Sequence, residues 1–535
     1  MTIVLGAILV IAILFGVSIY RRCAECEPSL RNIASVLPIL ATTLGMEIFL
    51  KILTERFFIF NDIRLARTFA LFHGVRIYPA SDTMSTIVGT LHTPLSHTLY
   101  WPSLFASTPV NAIYVGSTIA FLFVFTPVVW LHFSRRPRDI RGFVISFYSL
   151  LTCGFVMLQG SFDDGIRYCA FRIHADAPGI CFAAISAGLL YKADHCIARR
   201  YLLFSSFFAV LSVSCKQTLA PIVIGLCLFL WLTAGIRSLL RFMACLCSFA
   251  AALLSLLVVL FWPPKDLFFN ILTLASHRPR MAPFPGSWGL LRDQVLLDTS
   301  LAGFCLLLFL LYWHFYEHSK TSGWRQLFRE HRWLVFPLVG LALVPACIKA
   351  RLTVGGDSNQ IGTFAYFLIL GTTLGLNEFM TNTKQDRLKS IGSTILATAL
   401  VVVTFPAVIR TIVKAIGFDR ANVADVSIVY QYALKHPGKA YFPWNPLADF
   451  FAERRFYHFD SALLDREVAG HGIDCHQFIS GIPPDISVIA IPQGESDNIS
   501  RALRSYLSGW KPVEDAELPG WVVFQRPPAG SLTCQ

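Results

Sequence analysis

The sequence predicts a mostly α-helical membrane protein with about twelve transmembrane helices, followed by a small C-terminal α/β domain. Hydrophobic residues make up 55% of the 535 residues, charged residues only 15%, and the mean hydropathy is +0.57. A soluble fold of this size is less apolar, and the chain repeats apolar runs near the roughly 20 residues that a membrane helix needs. Beyond residue 413 the composition becomes polar and mixed. The chain is therefore a polytopic membrane protein with a polar C-terminal part.

The apolar runs, taken in order, place the membrane spans. One further apolar stretch, 94–106, contains two prolines and is only about a dozen residues long, which is too short to cross a bilayer. It is expected to be a juxtamembrane or re-entrant piece backed by protein. The predicted spans are 2–20, 33–53, 110–133, 142–160, 178–192, 201–215, 219–235, 241–262, 300–317, 334–349, 362–378 and 390–413.

The basic residues set the predicted orientation. If 94–106 does not cross, all the basic connectors fall on one side, which is cytosolic by the positive-inside rule. The net charge of +12 then reflects topology, and no nucleic-acid partner is expected. The first segment on the other side can form interfacial helices along the membrane. The segments predicted outside the cytosol are 54–109, 161–177, the turn around Lys216, 263–299, 350–361 and everything after about 413.

Three domains are expected from these patterns. Residues 1–32 form an extra N-terminal anchor with a cytosolic linker, 33–413 form the main transmembrane domain, and 414–535 form an extracytosolic α/β domain. Cys475 and Cys534 lie in the last domain and could pair. Helix-like runs alternate there with strand-like ones. The strand-like runs are 439–444, 486–491 and 521–525.

An acid and two bases follow closely on the apolar segment 33–53. The run Asp62-Ile63-Arg64-Leu65-Ala66-Arg67 is costly to desolvate beside a membrane, which indicates use in function. With Phe-His-Gly at 72–74 and Tyr-Pro at 78–79, it resembles the first outer loop of GT-C glycosyltransferases. The similar branch is that of the protein O-mannosyltransferases and lipid A aminoarabinose transferases. Their loop reads D-E-x-R-Y-A, then a helix, a glycine and a proline.

Three further motifs match this family in the expected order. They are Ala-Asp-Ala-Pro at 175–178, which opens a membrane helix, Lys-Gln-Thr at 216–218 in an outer turn, and Gly-Gly-Asp-Ser-Asn at 355–359 before a late span. The resemblance covers roughly 33–413. There are two departures: Ile63 replaces the second acid of D-E, and His-Thr-Pro at 92–94 stands where the aminoarabinose transferases have E-K-P. The lysine that contacts phosphate in that family is missing.

The resemblance implies an inverting glycosyltransferase that moves a sugar from a polyprenyl-phosphate donor to a lipid, glycan or protein hydroxyl at the extracytosolic face. Asp62 is the candidate base for the acceptor proton, and Asp176 is expected to assist it. Each could instead cap the start of a helix. Lys216 could also serve only to anchor its helix end by snorkelling. The candidate contacts to the donor phosphate are Arg64, Lys216, Arg172 and Arg351.

Two more acids, Asp163 and Asp164, could bind the acceptor or a divalent cation through oxygen ligands, or could simply form a turn. The resemblance implies that no cofactor is required and leaves a divalent cation as the alternative. His92, Asp357 and Asn359 are further candidates for the site.

Two other classes of protein remain open at this stage. A transporter would also have about a dozen spans, although carriers tend to show internal repeats and charges near the membrane midplane. A non-catalytic protein of the same fold that binds polyprenyl lipids is the second alternative. In either case the chain is expected to be a multi-pass protein of a bacterial inner membrane. An active site would face the periplasm or the exterior.

Overall fold

The computed structural model describes residues 2–22, 28–134, 140–158, 165–193, 198–279, 323–357, 359–382, 409, 413 and 425–527. Two predicted spans, 300–317 and 390–413, fall outside these residues apart from 409 and 413. Every other predicted span coincides with a helix. Apolar length thus located a helix at each predicted span that the structure describes.

The regular secondary structure that is described in the membrane part is helical. Its first helices are α1 (Thr2–Arg22), α2 (Pro28–Thr54), α3 (Ile59–Phe72), α4 (Pro94–Thr98), α5 (Pro109–His132), α6 (Ile140–Leu158), α7 (Gly165–Phe171) and α8 (Asp176–Lys192). They are followed by α9 (Arg199–Cys215), α10 (Ile222–Ala234), α11 (Ile236–Leu260), α12 (Pro264–Phe268), α13 (Leu274–Ser276), α14 (Trp324–Glu330), α15 (Val335–Arg351) and α16 (Asn359–Asn382).

Fewer helices than predicted are long and apolar enough to cross a bilayer. Within the described residues there are 6, or up to 7 if the bent pair α7–α8 counts as one span. Several others, such as the 17-residue α9, are short for the roughly 20 residues of a span. The count of about twelve spans is therefore not confirmed. The long apolar segments are Ala34–Phe57, Pro109–His132, Ile140–Leu158, Gln217–Ala234, Ile236–Leu260 and Arg332–Arg351.

The stretch 94–106 does not span, as the sequence predicts. It forms α4 and a short 3₁₀ helix, Trp101–Phe105. Each begins with a proline in its first turn, where a missing backbone N–H costs nothing. The chain therefore stays on one side of the helical bundle between α3 and α5.

A sharp bend separates α7 from α8, which meet at 102°. Irregular backbone inside a helical bundle leaves N–H and C=O groups that need partners. Asn61 of α3 accepts a hydrogen bond from the backbone N–H of Ile173 at 2.8 Å, and Tyr100 donates its hydroxyl to the carbonyl oxygen of His174 at 2.9 Å. These contacts fix the bend against the first loop.

Glycines allow α16 to lie directly on α7. A Cβ added at Gly362 would lie 2.1 Å from the carbonyl carbon of Gly165, so the two backbones touch. Small residues permit such close approach between membrane helices. The contact sets the start of α16, and with it Asn359, beside the bend before α8.

The C-terminal part is a small α/β unit, as predicted. Its sheet has the order β1-β2-β4-β3, in which only the β1–β2 pair is parallel. The strand β2 is buried along its whole length, which explains its continuous apolar sequence. The elements are α17 (Val426–Lys435), β1 (Ala440–Tyr441), α18 (Pro446–Glu453), α19 (Asp460–Val468), α20 (Cys475–Ser480), β2 (Val488–Pro492), α21 (Arg501–Tyr506), β3 (Lys511–Val513) and β4 (Trp521–Gln525).

The sequence did not predict β3, a three-residue edge strand that is largely exposed and contains Pro512. Cys475, for which the sequence left pairing open, is disulfide-bonded, whereas Cys534 lies outside the described residues.

The C-terminal unit docks on α3 and on the loop that follows it. Phe69 of α3 packs against the rings of Phe450 and Phe451 at centroid distances of 5.5 and 5.4 Å. Farther along, the backbone N–H of Ile87 donates to Nδ1 of His458 at 2.9 Å. The two parts of the chain therefore share one apolar core, and the space left between them forms the candidate site.

Candidate functional site

A cavity of about 420 Å³ lies between α3, the α7–α8 bend and the C-terminal unit. Its size is typical of a site for a small ligand or a lipid head group. All its charged and ring-bearing lining residues come from segments predicted to lie on the same side of the membrane. These residues are Phe60, Arg64, Arg67, His92, Tyr168, His174, Arg278, Asp357, Trp444 and Asp465.

Two arginines one turn apart on α3 face this cavity. Arg64 donates from Nη2 to the hydroxyl of Tyr168 at 2.5 Å, but its Nη1 is buried without a hydrogen-bond partner among the described residues. Arg67 is 8% exposed, makes a long 3.4 Å contact from Nη2 to Ser461, and leaves its Nε buried without a described partner. Buried cations with unused donors are costly unless an anion completes them. The pair is therefore a candidate anion site.

Burial lowers the pKa of Arg67 to about 10; nearby Asp465 raises it, and Arg64 and Arg278 lower it. The side chain therefore stays charged at neutral pH. Arg67 was not among the predicted site residues. Its position three residues after Arg64 on a helix places both on one face, and that spacing could have identified it.

A third arginine closes the opposite wall of the cavity. Arg278 forms an ion pair with Asp465 of α19 and donates to the carbonyl oxygen of Val354 at 3.4 Å. The backbone N–H of Val354 in turn donates to the carbonyl oxygen of Pro279 at 2.9 Å. The link joins the membrane part to the C-terminal unit across the cavity.

The predicted Gly-Gly-Asp motif forms the turn between α15 and α16. Gly355 has φ +79°, and a Cβ on Gly356 would lie 2.1 Å from the carbonyl oxygen of Ala350, so both positions require glycine. Arg351 donates to the carbonyl oxygen of Gly356 at 3.0 Å. The turn presents Asp357 to the cavity, whereas Arg351 supports the turn from outside the lining.

Three predicted site residues meet in a buried polar cluster next to the cavity. Asp176 accepts hydrogen bonds from Lys216 and, at 2.6 Å, from Nδ2 of Asn359. Its other neighbour is His174, whose Nδ1 lies 2.5 Å from Oδ2 of Asp176. Since the side chain of Lys216 is 3% exposed and bonded to Asp176, it does not line the cavity. Of this cluster, only His174 does.

Two histidines stand together on the cavity wall. The rings of His92 and His174 lie edge to face at 5.1 Å, and Nδ1 of His92 is buried without a hydrogen-bond partner among the described residues. Burial, with the nearby cations, holds the pKa of His92 well below its usual range, so the ring is neutral. The predicted candidate His92 therefore lies in the site, and His174 is a member that the sequence reasoning missed.

Asp62 lies outside the cavity lining. Its Oδ1 accepts a hydrogen bond from the backbone N–H of Leu447 at 2.9 Å, at the start of α18. Burial raises the pKa of Asp62 to about 8, against the opposing effect of the hydrogen bonds from Leu447 and Asn445. The carboxyl group thus satisfies the N-terminus of a helix, although a helix 385 residues away rather than its own. Its catalytic role stays a prediction from the sequence.

The D-E-x-R-Y-A motif can also be aligned with this chain one residue earlier. In D-E-x-R-Y-A the arginine follows the first acid by three residues, and Arg64 follows Asn61 by three but Asp62 by two. In this alignment the first acid is replaced by the amide of Asn61, and Asp62 takes the second position. Asn61 donates from Nδ2 to Oε2 of Glu55 at 2.7 Å and holds the α7–α8 bend. An amide cannot take up a proton at neutral pH, so a base would have to come from another position.

Arg172 stacks on Phe58, with 3.7 Å between its Cζ and the ring centroid, and does not line the cavity. Asp163 and Asp164 lie outside the described residues. Among the residues that the structure describes, no three His, Cys, Asp or Glu side chains are grouped to hold a metal ion.

These features define a class: a multi-pass membrane protein whose C-terminal α/β unit closes a cationic cavity over the short helices of its first loop. Among solved structures the chain is similar to ArnT from Cupriavidus metallidurans bound to undecaprenyl phosphate, with a TM-score of 0.51 and 10% identity over 90% of this chain and 96% of that one. This likeness confirms the predicted GT-C fold and shows the fold alone. No family model matches the chain, and no curated protein matches it significantly.

Proposed function

We propose that this chain is an inverting glycosyltransferase that moves a sugar from a polyprenyl-phosphate donor to a hydroxyl acceptor. One observation carries the proposal: Arg64 and Arg67 line the cavity, and Nη1 of Arg64 and Nε of Arg67 are buried without described partners. Two guanidinium groups with unused donors are complementary to a phosphate. The fold is that of a protein solved with undecaprenyl phosphate bound, which supports a lipid phosphate as the ligand.

The proposed reaction is a single displacement at the anomeric carbon. The acceptor oxygen bonds to that carbon, the bond from the carbon to the phosphate oxygen breaks, and the acceptor proton passes to a base. The polyprenyl phosphate leaves with the bonding electrons and gains negative charge. Arg64 and Arg67 stabilise this charge. Arg278, which is paired with Asp465, lies on the opposite wall. Lys216, Arg172 and Arg351, predicted as phosphate contacts, act here by bonding Asp176, stacking on Phe58 and supporting the Gly-Gly-Asp turn.

The acceptor is proposed to enter from the side of the C-terminal unit. Trp444, Ser461 and Asn498 of this unit line the cavity, and Asp357 faces them from the α15–α16 turn. The site is proposed to face the periplasm of a bacterial inner membrane, where lipid-linked sugars replace nucleotide sugars. No cofactor is required in this proposal. Equal turnover with and without EDTA would agree with that, whereas loss with EDTA would indicate a divalent cation.

The test is transfer of radiolabelled sugar from a panel of undecaprenyl-phosphate sugars by membranes that contain the full chain. We expect wild-type membranes to transfer or hydrolyse at least one donor. Arg67→Gln should lower this rate roughly 100-fold, because it removes a charged donor to the leaving phosphate. Arg76→Gln is the matched control, since Arg76 is exposed and does not line the cavity.

Binding of undecaprenyl phosphate without turnover of any donor would instead indicate the non-catalytic lipid-binding protein. If the purified chain neither binds undecaprenyl phosphate nor turns over a donor, the glycosyltransferase proposal fails and the transporter gains support.

A further inference from the structure

A histidine and a buried carboxylate stand together at the wall of the cavity, and no motif of the sequence assigns the histidine a role. His174 lies in the α7–α8 bend and lines the cavity. Its Nδ1 is 2.5 Å from Oδ2 of Asp176; the backbone N–H of Asp176 also points at Nδ1, but from 3.4 Å, beyond the usual hydrogen-bond distance. The short contact decides the tautomer, because an unprotonated Nδ1 would be repelled by a carboxylate oxygen at that distance. Nδ1 therefore carries the proton, and Nε2 has the free lone pair.

The carboxylate that orients this ring is held on its other side. Asp176 is 0% exposed and also accepts from Lys216 and, at 2.6 Å, from Nδ2 of Asn359. The ammonium group of Lys216 balances the charge of the carboxylate, so the buried pair adds no net charge to the protein interior. The carboxylate is thereby fixed in place and can stabilise a positive charge that develops on His174.

The backbone around His174 is equally constrained. The hydroxyl of Tyr100 donates to the carbonyl oxygen of His174 at 2.9 Å, and the backbone N–H of His174 donates to the oxygen of that hydroxyl at 3.3 Å. The ring itself packs edge to face against His92 at 5.1 Å and Tyr168 at 6.1 Å. The described polar contacts of the ring are all at Nδ1, which leaves Nε2 for a ligand in the cavity. A base held in one orientation satisfies the geometric requirement for proton transfer.

We propose that His174 is the general base of this site, with Asp176 as its positioning residue; this rests on the glycosyl transfer proposed above. The acceptor O–H bond breaks, its proton goes to Nε2 of His174, and the acceptor oxygen forms the new bond to the anomeric carbon. The sugar–phosphate bond breaks at the same time, and its electrons leave with the polyprenyl phosphate. His174 thus provides a base at the cavity. The amide of Asn61 cannot act as a base, and Asp62 lies outside the cavity lining.

The donor phosphate would also favour this role. The guanidinium group of Arg64 lies over the ring of Tyr168, which packs on His174, so a positive charge on the imidazole is opposed before the donor binds. A phosphate bound to Arg64 and Arg67 neutralises that opposition. His174 would therefore act as a base chiefly when the donor is in place.

The test uses the purified full chain in lipid nanodiscs with a donor that the wild type turns over. We expect His174→Gln to lower kcat at least roughly 100-fold, the usual effect of removing a general base, while KM for the donor and binding of undecaprenyl phosphate stay within about 3-fold. Imidazole should partly restore turnover by His174→Ala. His476→Gln is the matched control, because His476 is exposed on the C-terminal unit.

A second readout is the pH profile of kcat. The described titratable groups around His174 all stay in its variants; they are Asp176, Lys216, Arg64, His92, His97, Tyr100 and Tyr168. The limb of the wild-type profile that rises with pH should therefore disappear in His174→Gln, because only the base has been removed.

The outcomes separate this inference from the proposed function. If the wild type turns over a donor and His174→Gln keeps more than a third of kcat with an unchanged pH profile, the inference is wrong and the function stands. If His174→Gln loses undecaprenyl phosphate binding and imidazole does not restore His174→Ala, the histidine is structural and the inference is wrong. If the wild type turns over no donor, the proposed function fails and the inference fails with it.

Discussion

At the scale of single residues, the partners of the charged groups decide their roles. Lys216 and Asp176 were both predicted to act on substrate, and in the structure they bind each other. His174, which lines the cavity, lies against Asp176. Arg64 and Arg67 each keep a buried N–H donor without a described partner. A charge that is already paired needs no ligand to compensate it, whereas a buried charge without a described partner indicates a ligand.

Asp62 provides a prediction at this scale. Burial raises its pKa to about 8, so the carboxyl group carries a proton at pH 7 and accepts the Leu447 N–H through one oxygen. Asp62→Asn should keep this acceptor and retain at least roughly a third of wild-type turnover, whereas Asp62→Ala should lower the free energy of unfolding by about 1–3 kcal/mol. Turnover assays and thermal unfolding check the two parts. A loss of roughly 100-fold in Asp62→Asn would show that Asp62 is the base.

The ion pair of Asp176 and Lys216 provides a second prediction about single residues. Asp176→Asn should lower the free energy of unfolding by about 3–5 kcal/mol, because it leaves the Lys216 ammonium buried without its counter-charge. The double variant Asp176→Asn, Lys216→Met should recover much of that stability but not the turnover, since His174 still lacks its orienting carboxylate. Unfolding midpoints and kcat of the three proteins decide this. Recovery of turnover along with stability would contradict a positioning role for Asp176.

At the scale of elements, backbone contact between helices sets the site. The sequence placed the helices well, but length and hydropathy did not predict the 102° bend between α7 and α8 or the contact of α16 with α7. Both depend on groups far apart in the chain, namely Asn61 with Ile173 and Gly362 with Gly165. Periodicity describes one helix at a time and cannot report such contacts.

The helix contact can be tested with matched alanines. Gly362→Ala places a Cβ 2.1 Å from the Gly165 backbone, so α16 must shift and move Asn359 away from Asp176. We expect a loss of about 1–3 kcal/mol in stability, the usual cost of overpacking, together with reduced turnover. Gly45→Ala on α2 has open space and should be neutral or slightly stabilising. Equal unfolding midpoints for the two variants would refute the close contact.

At the scale of the whole molecule, the docking of the C-terminal unit completes the cavity. His458 joins the two parts: Nδ1 accepts from the N–H of Ile87, and Nε2 then donates to the carbonyl oxygen of Phe478 at 2.9 Å. Burial lowers the pKa of His458 to about 4, so the ring is neutral near pH 7 and both bonds form. Protonation of Nδ1 would remove the acceptor for Ile87.

This docking contact should be sensitive to pH. Because the folded-state pKa of about 4 is below the usual 6.5, the unfolded chain takes up the proton first as the pH falls. The contribution of His458 is present above pH 6.5 and lost between pH 6.5 and 4, by roughly 3 kcal/mol. The difference in unfolding midpoint between wild type and His458→Gln should therefore shrink over this range. A difference that stays constant, as expected for the exposed control His476→Gln, would contradict the buried neutral ring.

The sequence by itself determined the class of protein, the positions of the helices, the α/β nature of the C-terminal part and the set of segments that meet at the site. These follow from apolar length, basic connectors and strand periodicity, which are local properties of the chain. Only the tertiary structure decided which charges face the cavity. The contact of Asp62 with Leu447 spans 385 residues and that of Lys216 with Asp176 spans 40, and such pairings depend on how the elements pack.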